Sequence, residues 1–459
     1  MYIFYDFETS QKDFLGQILA YYFVLVDDTL SPISECEGLI KPNRLELPAA
    51  GAIKVNQLSI NTCIDTGLSE FDAATKIYSF LEETTRQYGH VPLVGFNSAR
   101  FDFKHLEKLL LKYGLSPTFY GKVNSLDIYQ FSKYCAQLNP DTFPFVFQKR
   151  QDTDTYSFKL EDLANAFECL DAPQTHDAKD DVDLTIALTQ KLTDTFGISL
   201  SEFQQKQHNT AVFIEKESYI KEPYFQFEQP TDTPIIRYNE WLVIGKASKS
   251  TFILLDVNAY HTVERSEFSD YSAITKYVNT RTTALLGSTH AQTTAHTAML
   301  SDPNVQKISE NALQYFKLFP VDWDIEYRPW AIGFDHIQQL RTYIERLHHD
   351  PDSYSSIIND WKACKKTTPN RTNELNLMIT LFNRFYLNFH PTPAPEHIEK
   401  YIAPRYKTGT MFRNPIDFIA PETEKTTIEF LLTSATTSAE KQVLNELLNY
   451  TKTFIKTHI

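Results

Sequence analysis

The first 195 residues alternate between strand-like and helix-like hydrophobic patterns. The runs YIFYDFE, ILAYYFVLVD, ISECEGLIKP and VPLVGF have the length and the β-branched or aromatic content of strands. FDAATKIYSFLEETTRQYG and FDFKHLEKLLLKYG instead place apolar residues at helical spacing. Because strands and helices alternate along the chain, this part is predicted to form an α/β sheet with helices packed on it.

The pattern changes twice further along the chain. Residues 196–215 read as a connecting segment, and IIRYNEWLVIG and STFILLDVNA then predict the strands of a small β-rich unit. From about residue 333 helical spacing dominates, with a turn-rich break at PTPAPE, residues 391–396. A chain of 459 residues is long enough for two or three domains. The predicted domains are 1–195, 196–350 and 351–459.

Two acidic residues share one face of the first predicted strand. Strand side chains alternate between faces, so Asp6 and Glu8 in YDFET point the same way. Two carboxylates in this arrangement repel each other unless a cation lies between them, and a divalent metal with oxygen ligands is the usual solution. On its own, however, a D-x-E pattern at the end of a strand is more often a pair of solvent-exposed acids at the edge of a sheet.

Further chemistry-bearing residues follow within the first 190 positions. Asp102 comes after the apolar run LVGF, and His176 and Asp181 lie in HDAKDDVD. Taken singly, Asp102 is a turn residue, His176 is a loop histidine, and the acidic run is the solvated start of a helix capped by Asp177. His176 and Asp181 would be about 140° apart on one helix, so they converge only if His176 precedes it. Asp177 as the N-cap places His176 there.

Together these motifs resemble the DEDDh branch of the DnaQ-like 3′→5′ exonucleases. The first motif is Asp6-Phe7-Glu8-Thr9, the second runs from Val94-Gly95-Phe96-Asn97 to Asp102, and the third is H-x-A-x-x-D at 176–181. The resemblance implies that four carboxylates hold two metal ions and that His176 is the general base. The implied metal ligands are Asp6, Glu8, Asp102 and Asp181, while Asp180 and Asp183 fall outside the motif.

A closer resemblance, to the bacterial exodeoxyribonuclease I family, covers nearly the whole chain. It is carried by YDFETS, LPAAGAIKVNQLSI, GFNSARFDF, SFKLEDLANAFE and HDAKDDVDLT, and more weakly by segments beyond residue 200. It implies a ribonuclease-H-like exonuclease domain, an SH3-like β-rich domain and a helical C-terminal domain. It also implies a monomeric, single-strand-specific 3′→5′ exodeoxyribonuclease of DNA repair and recombination, with single-stranded-DNA-binding protein as a partner.

The residue types fit hydrolysis of a phosphodiester. Two divalent ions about 4 Å apart can hold the attacking water and the leaving 3′ oxygen, which would release a nucleotide 5′-monophosphate. A histidine with a pKa near neutrality can accept the proton from that water. An all-carboxylate site suits Mg²⁺, with Mn²⁺ as a substitute, whereas no Cys/His spacing typical of zinc is found.

The net charge of −14 is unusual for a protein that binds nucleic acid. Residues 1–195 hold 17 Lys and Arg against 28 Asp and Glu, and residues 351–459 hold 13 against 11. DNA affinity must therefore come from local basic groups. Arg100, Lys104 and Lys159 are the candidates near the site, and the resemblance implies a phosphate contact for Lys159. Further candidates are Lys362, Lys365, Lys366 and Arg371, for which a solvated helix face is equally compatible.

Phe101, beside Asp102, is a candidate for contact with the substrate, and strand-end packing is an equal alternative. No window approaches the ~18 apolar residues of a membrane span. The start of the chain lacks the basic region of a signal peptide, and the five cysteines are widely spaced and odd in number. These features predict reduced thiols, a cytoplasmic location and no membrane association.

One stretch departs from the family. The loop that carries a glycine against the terminal base in the relatives is Ala52-Ile53-Lys54-Val55-Asn56-Gln57-Leu58 here, which predicts a differently shaped pocket. Alternatives from other classes also remain: an exonuclease that acts on RNA ends, a non-catalytic single-strand DNA-binding repair scaffold, and a proofreading subunit of a polymerase. The long C-terminal half disfavours the first and third, and the complete carboxylate set disfavours the second.

Overall fold

The structure is a computed structural model. It describes residues 1–12, 16–44, 46–99, 101–117, 121–148, 155–169, 177–214, 219–228, 233–247, 251–262, 273–279, 288–322, 334–367, 372–401 and 420–458.

The N-terminal part is built on a mixed five-stranded sheet. Its strands are β1 (Tyr2–Thr9), β2 (Ile18–Val26), β3 (Pro32–Leu39), β4 (Leu93–Gly95) and β5 (Ser125–Asp127). They lie in the order β3-β2-β1-β4-β5, with β2 antiparallel to β1 and β3, and with β4 parallel to β1 and β5. The carboxylate-bearing strand β1 is therefore central, which buries most of its residues.

In the described parts of this region, eight helices and a short hairpin accompany the sheet. The helices are α1 (Ala50–Asn56), α2 (Ile60–Thr66), α3 (Glu70–Tyr88), α4 (Asp102–Lys112), α5 (Ile128–Leu138), α6 (Leu160–Ala166), α7 (Ala178–Phe196) and α8 (Leu200–Ile214). The hairpin pairs β6 (Val146–Gln148) with β7 (Thr155–Ser157).

The two faces of the sheet belong to two separate hydrophobic cores. Ile3, Tyr5 and Phe7 of β1 pack in one core with residues of α3 and α4. Phe4 packs in the other, with residues of α5 and α7. This alternation confirms the strand predicted for YIFYDFE, and it places Asp6 and Glu8 on the face of Phe4 that α7 covers.

Polar side chains cap the N-termini of several of these helices. The side chain of Ser69 accepts a hydrogen bond from Asp72 N at the start of α3, and that of Asp127 accepts one from Tyr129 N at the start of α5. Asp177 accepts one from Lys179 N and is the N-cap of α7, as predicted.

A second, fully antiparallel sheet follows in the chain. Its strands are β8 (Tyr219–Glu228), β9 (Thr233–Lys246), β10 (Thr251–Asp256), β11 (Thr275–Asn279) and β12 (Ser288–His290), in the order β11-β10-β9-β8-β12. The accompanying helices are α9 (Val257–Thr262), α10 (Thr294–Leu300) and α11 (Pro303–Asp322). The β-rich unit predicted after residue 218 is therefore present.

Helices make up the described C-terminal part, as predicted. They are α12 (Phe334–His349), α13 (Tyr354–Thr367), α14 (Thr372–Phe389), α15 (Pro395–Tyr401), α16 (Pro421–Ser434) and α17 (Ser438–His458). Ile344, Trp361 and Phe385 from this part share the core that contains Tyr5 and Phe103. The helices thus pack on the N-terminal sheet unit, while the domain boundaries at 195 and 350 stay predictions. No helix among the described residues has the length and apolarity needed to cross a membrane.

Two segments predicted to be irregular are helical. The connecting segment 196–215 contains α8, because Leu200 and Phe203 are buried and the Phe203 ring lies 5.3 Å from that of Phe131. The loop LPAAGAIKVNQLSI contains α1 and α2, whose Ile53 and Ile60 pack against α16 and α17. Contacts with residues far along the chain stabilise these short helices, and the local pattern does not reveal such contacts.

A buried carboxylate joins α3 to α4. Glu70 accepts hydrogen bonds from Lys112 Nζ at 2.6 Å, from the Tyr113 hydroxyl at 2.7 Å and from Asn43 Nδ2 at 3.3 Å. Lys112 and Glu70 are both buried, so Glu70 compensates a lysine charge that lies away from water.

Removing this carboxylate should destabilise the fold. We expect Glu70→Gln to lower the free energy of unfolding by about 3 kcal/mol, since breaking a buried ion pair leaves the other charge poorly compensated. Urea unfolding followed by circular dichroism measures the change. Glu82→Gln, at an exposed position on the same helix, is the control and should leave stability unchanged. Equal stability of the two variants would contradict the role given to Glu70.

Candidate metal centre

Three carboxylates from two elements converge at the end of β1. Asp6 and Glu8 project from the face of the strand that α7 covers, and Asp181 lies in the first turn of α7. One carboxylate oxygen from each lies within 4.8 Å of the other two. Asp180 and Asp183 are not in this group, and both are exposed on the surface of α7. The placement therefore agrees with the selection of Asp181 by the third motif.

The position of Asp181 follows from the local sequence. Asp177 caps α7, and the backbone N–H of Asp181 donates to the Asp177 carbonyl at 2.9 Å in the first turn. Val182 and Leu188 of the same helix are fully buried against the sheet, which fixes the rotation of α7 about its axis. The apolar face of the helix thus brings the acidic first turn to β1.

Asp102 lies beside this group, at the first residue of α4. Its side chain is buried, and its Oδ1 atom has no hydrogen-bond partner among the described residues. Its negative charge acts on both Asp6 and Glu8 of β1 and contributes to the raised pKa of each. Asp102 therefore faces the same end of the strand, although it is not one of the three carboxylates within 4.8 Å of one another.

Burial and mutual repulsion strongly favour the protonated forms of these acids. Burial, followed by the charges of Asp181 and Asp102, raises the pKa of Glu8 to about 9. Burial together with Asp102 and Glu8 raises the pKa of Asp6 well above its ordinary value. Burial, with Asp127 and Asp181 nearby, raises the pKa of Asp102 to about 8. Bound cations would remove this penalty and return the groups to their charged forms.

The arrangement fits divalent metal ions. Among the described residues, the donors that converge here are carboxylate oxygens, which Mg²⁺ and Mn²⁺ prefer. The Oδ1 atom of Asp102 is buried without a partner, and such an atom is costly unless a ligand or ion satisfies it. The residues present therefore fit a site for hard divalent cations.

The other predicted site residues differ in what the structure shows of them. Phe101 precedes Asp102 and is half-buried, and its ring lies tilted against that of the buried His105 with ring centroids 4.5 Å apart. Lys159 is exposed at the N-cap of α6, and Lys104 pairs with Glu107 at 2.8 Å. His176 and Arg100 lie outside the described residues.

The more distant basic candidates lie on or near α13. The Lys362 side chain is exposed, next to the buried Trp361 of the same helix. Both interpretations of Lys362, as part of a solvated helix face and as a contact for DNA, therefore agree with its exposed position. The side chains of Lys365 and Lys366, and all of Arg371, lie outside the described residues.

Two residues near the centre make contacts that the sequence analysis did not predict. Asp127 ends β5, is buried, and accepts hydrogen bonds from Asn97 N at 2.8 Å and Tyr129 N at 3.0 Å. Its position directly before the helical segment IYQFSKYCAQL, where an N-cap aspartate is common, was a usable signal. Asn56 was expected in a loop but ends α1, where its side chain bonds to β1. That contact joins residues 47 apart in sequence, and no local pattern indicates it.

The raised pKa values predict how pH changes the stability of the metal-free protein. With a folded-state pKa of about 9 and an ordinary value of 4.5, Glu8 holds more protons in the folded than in the unfolded state between these pH values. Stability therefore falls as pH rises through this window. Glu8→Gln removes that loss, so in EDTA the variant should be more stable than the wild type by about 2 kcal/mol at pH 8, and similar at pH 5.

Urea unfolding in EDTA at pH 5, 7 and 8 measures this difference. Adding Mn²⁺ at pH 8 should stabilise the wild type and stabilise Glu8→Gln less. Glu161→Gln, at an exposed position on α6, is the control and should follow the wild type at every pH. The opposite result would be a wild type that becomes more stable relative to Glu8→Gln as the pH rises from 5 to 8 in EDTA. That result would show that Glu8 is not in a cluster of mutually repelling carboxylates.

Comparison with known proteins gives a likeness of structure only. A scan against protein-family models and a search of curated proteins find no match to the sequence. Exonuclease I from Methylocaldum szegediense has 16% sequence identity and a TM-score of 0.66, with 99% of each chain covered. E. coli Exonuclease I in complex with a dA16 oligonucleotide has 14% identity and a TM-score of 0.65, again over 99% of each chain.

A zinc-bound form of the E. coli ExoI–ssDNA complex matches with 13% identity and a TM-score of 0.65, over 99% of each chain. The full-length coverage extends the likeness from the N-terminal sheet through the second sheet to the C-terminal helices. The chain therefore has the Exonuclease I fold, a ribonuclease-H-like unit followed by an SH3-like unit and C-terminal helices, as the sequence predicts.

Proposed function

We propose that this protein is a single-strand-specific 3′→5′ exodeoxyribonuclease that releases 5′-mononucleotides by metal-dependent phosphodiester hydrolysis. The observation that carries the proposal is the convergence of Asp6, Glu8 and Asp181 within 4.8 Å, beside the buried Asp102, in a chain with the Exonuclease I fold. Repelling carboxylates that are kept together without a cation weaken a fold, so their convergence supports metal binding.

Asp6, Glu8, Asp102 and Asp181 are the proposed ligands of two Mg²⁺ ions, which Mn²⁺ can replace. Such ions, when bound, polarise the scissile phosphate and lower the pKa of the attacking water. The four carboxylates would hold these ions at the end of β1, where the 3′ end of the strand would bind. His176, immediately before the Asp177 cap of α7, is proposed to accept the proton from the attacking water.

Substrate contacts are proposed for residues around this centre. Lys159 and Arg100 would neutralise backbone phosphates, and Phe101 would contact the substrate near the scissile nucleotide. Glu8 would contact the substrate in addition to its role as a metal ligand. Single-stranded DNA as the substrate is supported by the oligonucleotide complexes of the E. coli protein, which has the same fold.

The biological setting is also proposed. The exonuclease domain would span 1–195, the SH3-like domain 196–350 and the helical domain 351–459. The protein would act as a monomer in the cytoplasm, in DNA repair and recombination, with single-stranded-DNA-binding protein as its partner. These proposals depend on the sequence resemblance and on the shared fold.

An oligonucleotide labelled at its 5′ end tests the proposal directly. It is supplied as single-stranded DNA, duplex DNA or RNA, with Mg²⁺, Mn²⁺, Zn²⁺ or EDTA. We expect stepwise shortening from the 3′ end of single-stranded DNA only, and none in EDTA. Preferential shortening of RNA would replace the substrate assignment, and no cleavage under any condition would contradict the enzyme assignment.

Removing one ligand should abolish turnover and leave the fold intact. We expect Asp6→Asn and Asp181→Asn each to lower kcat by at least about three orders of magnitude, since the carboxylates act as a unit. The control is Asp183→Asn, two residues beyond Asp181 on α7 and outside the carboxylate group, which should retain activity within about threefold. Circular dichroism checks folding. A folded Asp6→Asn protein with wild-type kcat would refute the metal-ligand role.

Loss of the proposed general base has a distinct signature. We expect His176→Ala to lower kcat by about two to four orders of magnitude and to remove the acidic limb of the pH–rate profile. Metal binding, measured by calorimetry with Mn²⁺, should be unchanged. An unaltered pH–rate profile in this variant would contradict the assignment.

A further inference from the structure

The C-terminal end of α1 contacts the strand that carries two of the carboxylates. Asn56, the last residue of α1, is buried, and its Nδ2 atom donates to the carbonyl oxygen of Thr9 at 3.2 Å. Thr9 follows Glu8 directly, at the point where the β1–β2 register shifts. Asn56 therefore supports β1 where the regular ladder is interrupted, next to a proposed ligand.

The Asn56 amide is held in one orientation. Its Oδ1 atom accepts a hydrogen bond from the backbone N–H of Leu58 at 3.1 Å, which directs Nδ2 towards β1. The bond from Nδ2 to the Thr9 carbonyl therefore restrains the backbone directly after Glu8, at the end of β1 that carries this carboxylate.

A helix as short as α1 depends on its surroundings for its position. It has seven residues, fewer than an isolated helix needs to be stable in water. At its start, Ala49 N donates to the Ser10 carbonyl at 2.7 Å, so both ends of the helix are tied to the end of β1.

The outer side of α1 is held by the C-terminal hairpin, which we define as α16 and α17. The buried carboxylate of Glu424 accepts a hydrogen bond from Ala50 N at the start of α1. Lys54 pairs with Glu440 at 3.4 Å, and Ile53 packs in one core with Leu444. The hairpin begins about 370 residues after α1 in the chain, yet it supplies a hydrogen bond, an ion pair and an apolar surface to this helix.

We propose that Asn56 is a positioning residue for the metal ligand Glu8, and that the C-terminal hairpin holds Asn56 in place through α1. This inference rests on the proposed function, because it concerns the same carboxylate centre. Hydrogen bonds that orient metal ligands typically contribute 10–100-fold to metal affinity. Helices α16 and α17 therefore raise the metal affinity of a site whose proposed ligands lie in the N-terminal part of the chain.

Binding of Mn²⁺ to the full-length protein, measured by calorimetry, tests the inference without depending on turnover. We expect Asn56→Ala to weaken Mn²⁺ binding by about 10–100-fold. Asn56→Ser, which retains a hydroxyl donor, should give an intermediate value. Glu424→Gln should weaken binding by a smaller factor, on the order of threefold, because it acts on Asn56 through α1.

Two variants serve as matched controls. Asn61→Ala changes an exposed asparagine on the neighbouring helix α2, and Glu429→Gln changes an exposed glutamate on the same helix as Glu424. Both should bind Mn²⁺ like the wild type. If the Asn56→Ala protein does not fold, as judged by circular dichroism, the Asn56→Ser and Glu424→Gln variants carry the test.

Combining the two changes tests the path through α1. If Glu424 acts through Asn56, the double variant Asn56→Ala/Glu424→Gln should bind Mn²⁺ as weakly as Asn56→Ala alone, since coupled residues are non-additive. Additive losses would overturn the role of the hairpin. Wild-type affinity in the folded Asn56→Ala and Asn56→Ser proteins would overturn the role of Asn56.

The failure of the inference can be distinguished from the failure of the proposed function. If the wild type binds no Mn²⁺ and degrades no DNA, the metal-centre proposal itself is wrong. If the wild type binds and cleaves, Asp6→Asn does neither, and Asn56→Ala matches the wild type, only the positioning inference is wrong.

Discussion

Repulsion among the half-buried carboxylates of Asp6, Glu8 and Asp181 is the constraint on which the candidate site depends. Asp6, Glu8 and Asp181 lie within 4.8 Å of one another, and the buried Asp102 lies beside them. Burial and neighbouring negative charge raise the pKa values of Asp6, Glu8 and Asp102. The packing around these carboxylates holds them together in spite of their repulsion. Divalent cations bound between them would replace this repulsion with attraction.

The scaffold explains how such groups are held together. The central position of β1 fixes Asp6 and Glu8, and the apolar face of α7 fixes Asp181 through Val182 and Leu188. On the opposite face of the sheet, the C-terminal helices share a core with Tyr5 and Phe7. The last helix of the chain also packs on α1, which reaches the end of β1. Remote parts of the sequence therefore contribute to the rigidity of the carboxylate centre.

The sequence predicted the parts of the fold that depend on local patterns. Strand β1, the capped helix α7 and the three-part order of sheet, second sheet and helices follow from hydrophobic spacing, caps and family motifs. The choice of Asp181 over Asp180 and Asp183 agrees with where the structure places them.

What the sequence missed depends on contacts between distant residues. Helix α1 was expected to be a loop because its stability comes from α16 and α17, and α8 was expected to be a linker because its apolar residues are few and spaced widely. The contact of Asn56 with Thr9 and the nearness of Asp127 to Asp102 are likewise products of the tertiary fold. Motifs identify the ligands, whereas the side chains that orient the ligands require the structure.

The most direct test of the central claim is the anomalous X-ray diffraction of crystals grown with Mn²⁺ and a short single-stranded DNA. The account predicts two anomalous peaks about 4 Å apart, coordinated by Asp6, Glu8, Asp102 and Asp181, with the 3′ end of the DNA between them. Absence of manganese from these carboxylates, or DNA bound elsewhere on the molecule, would contradict it.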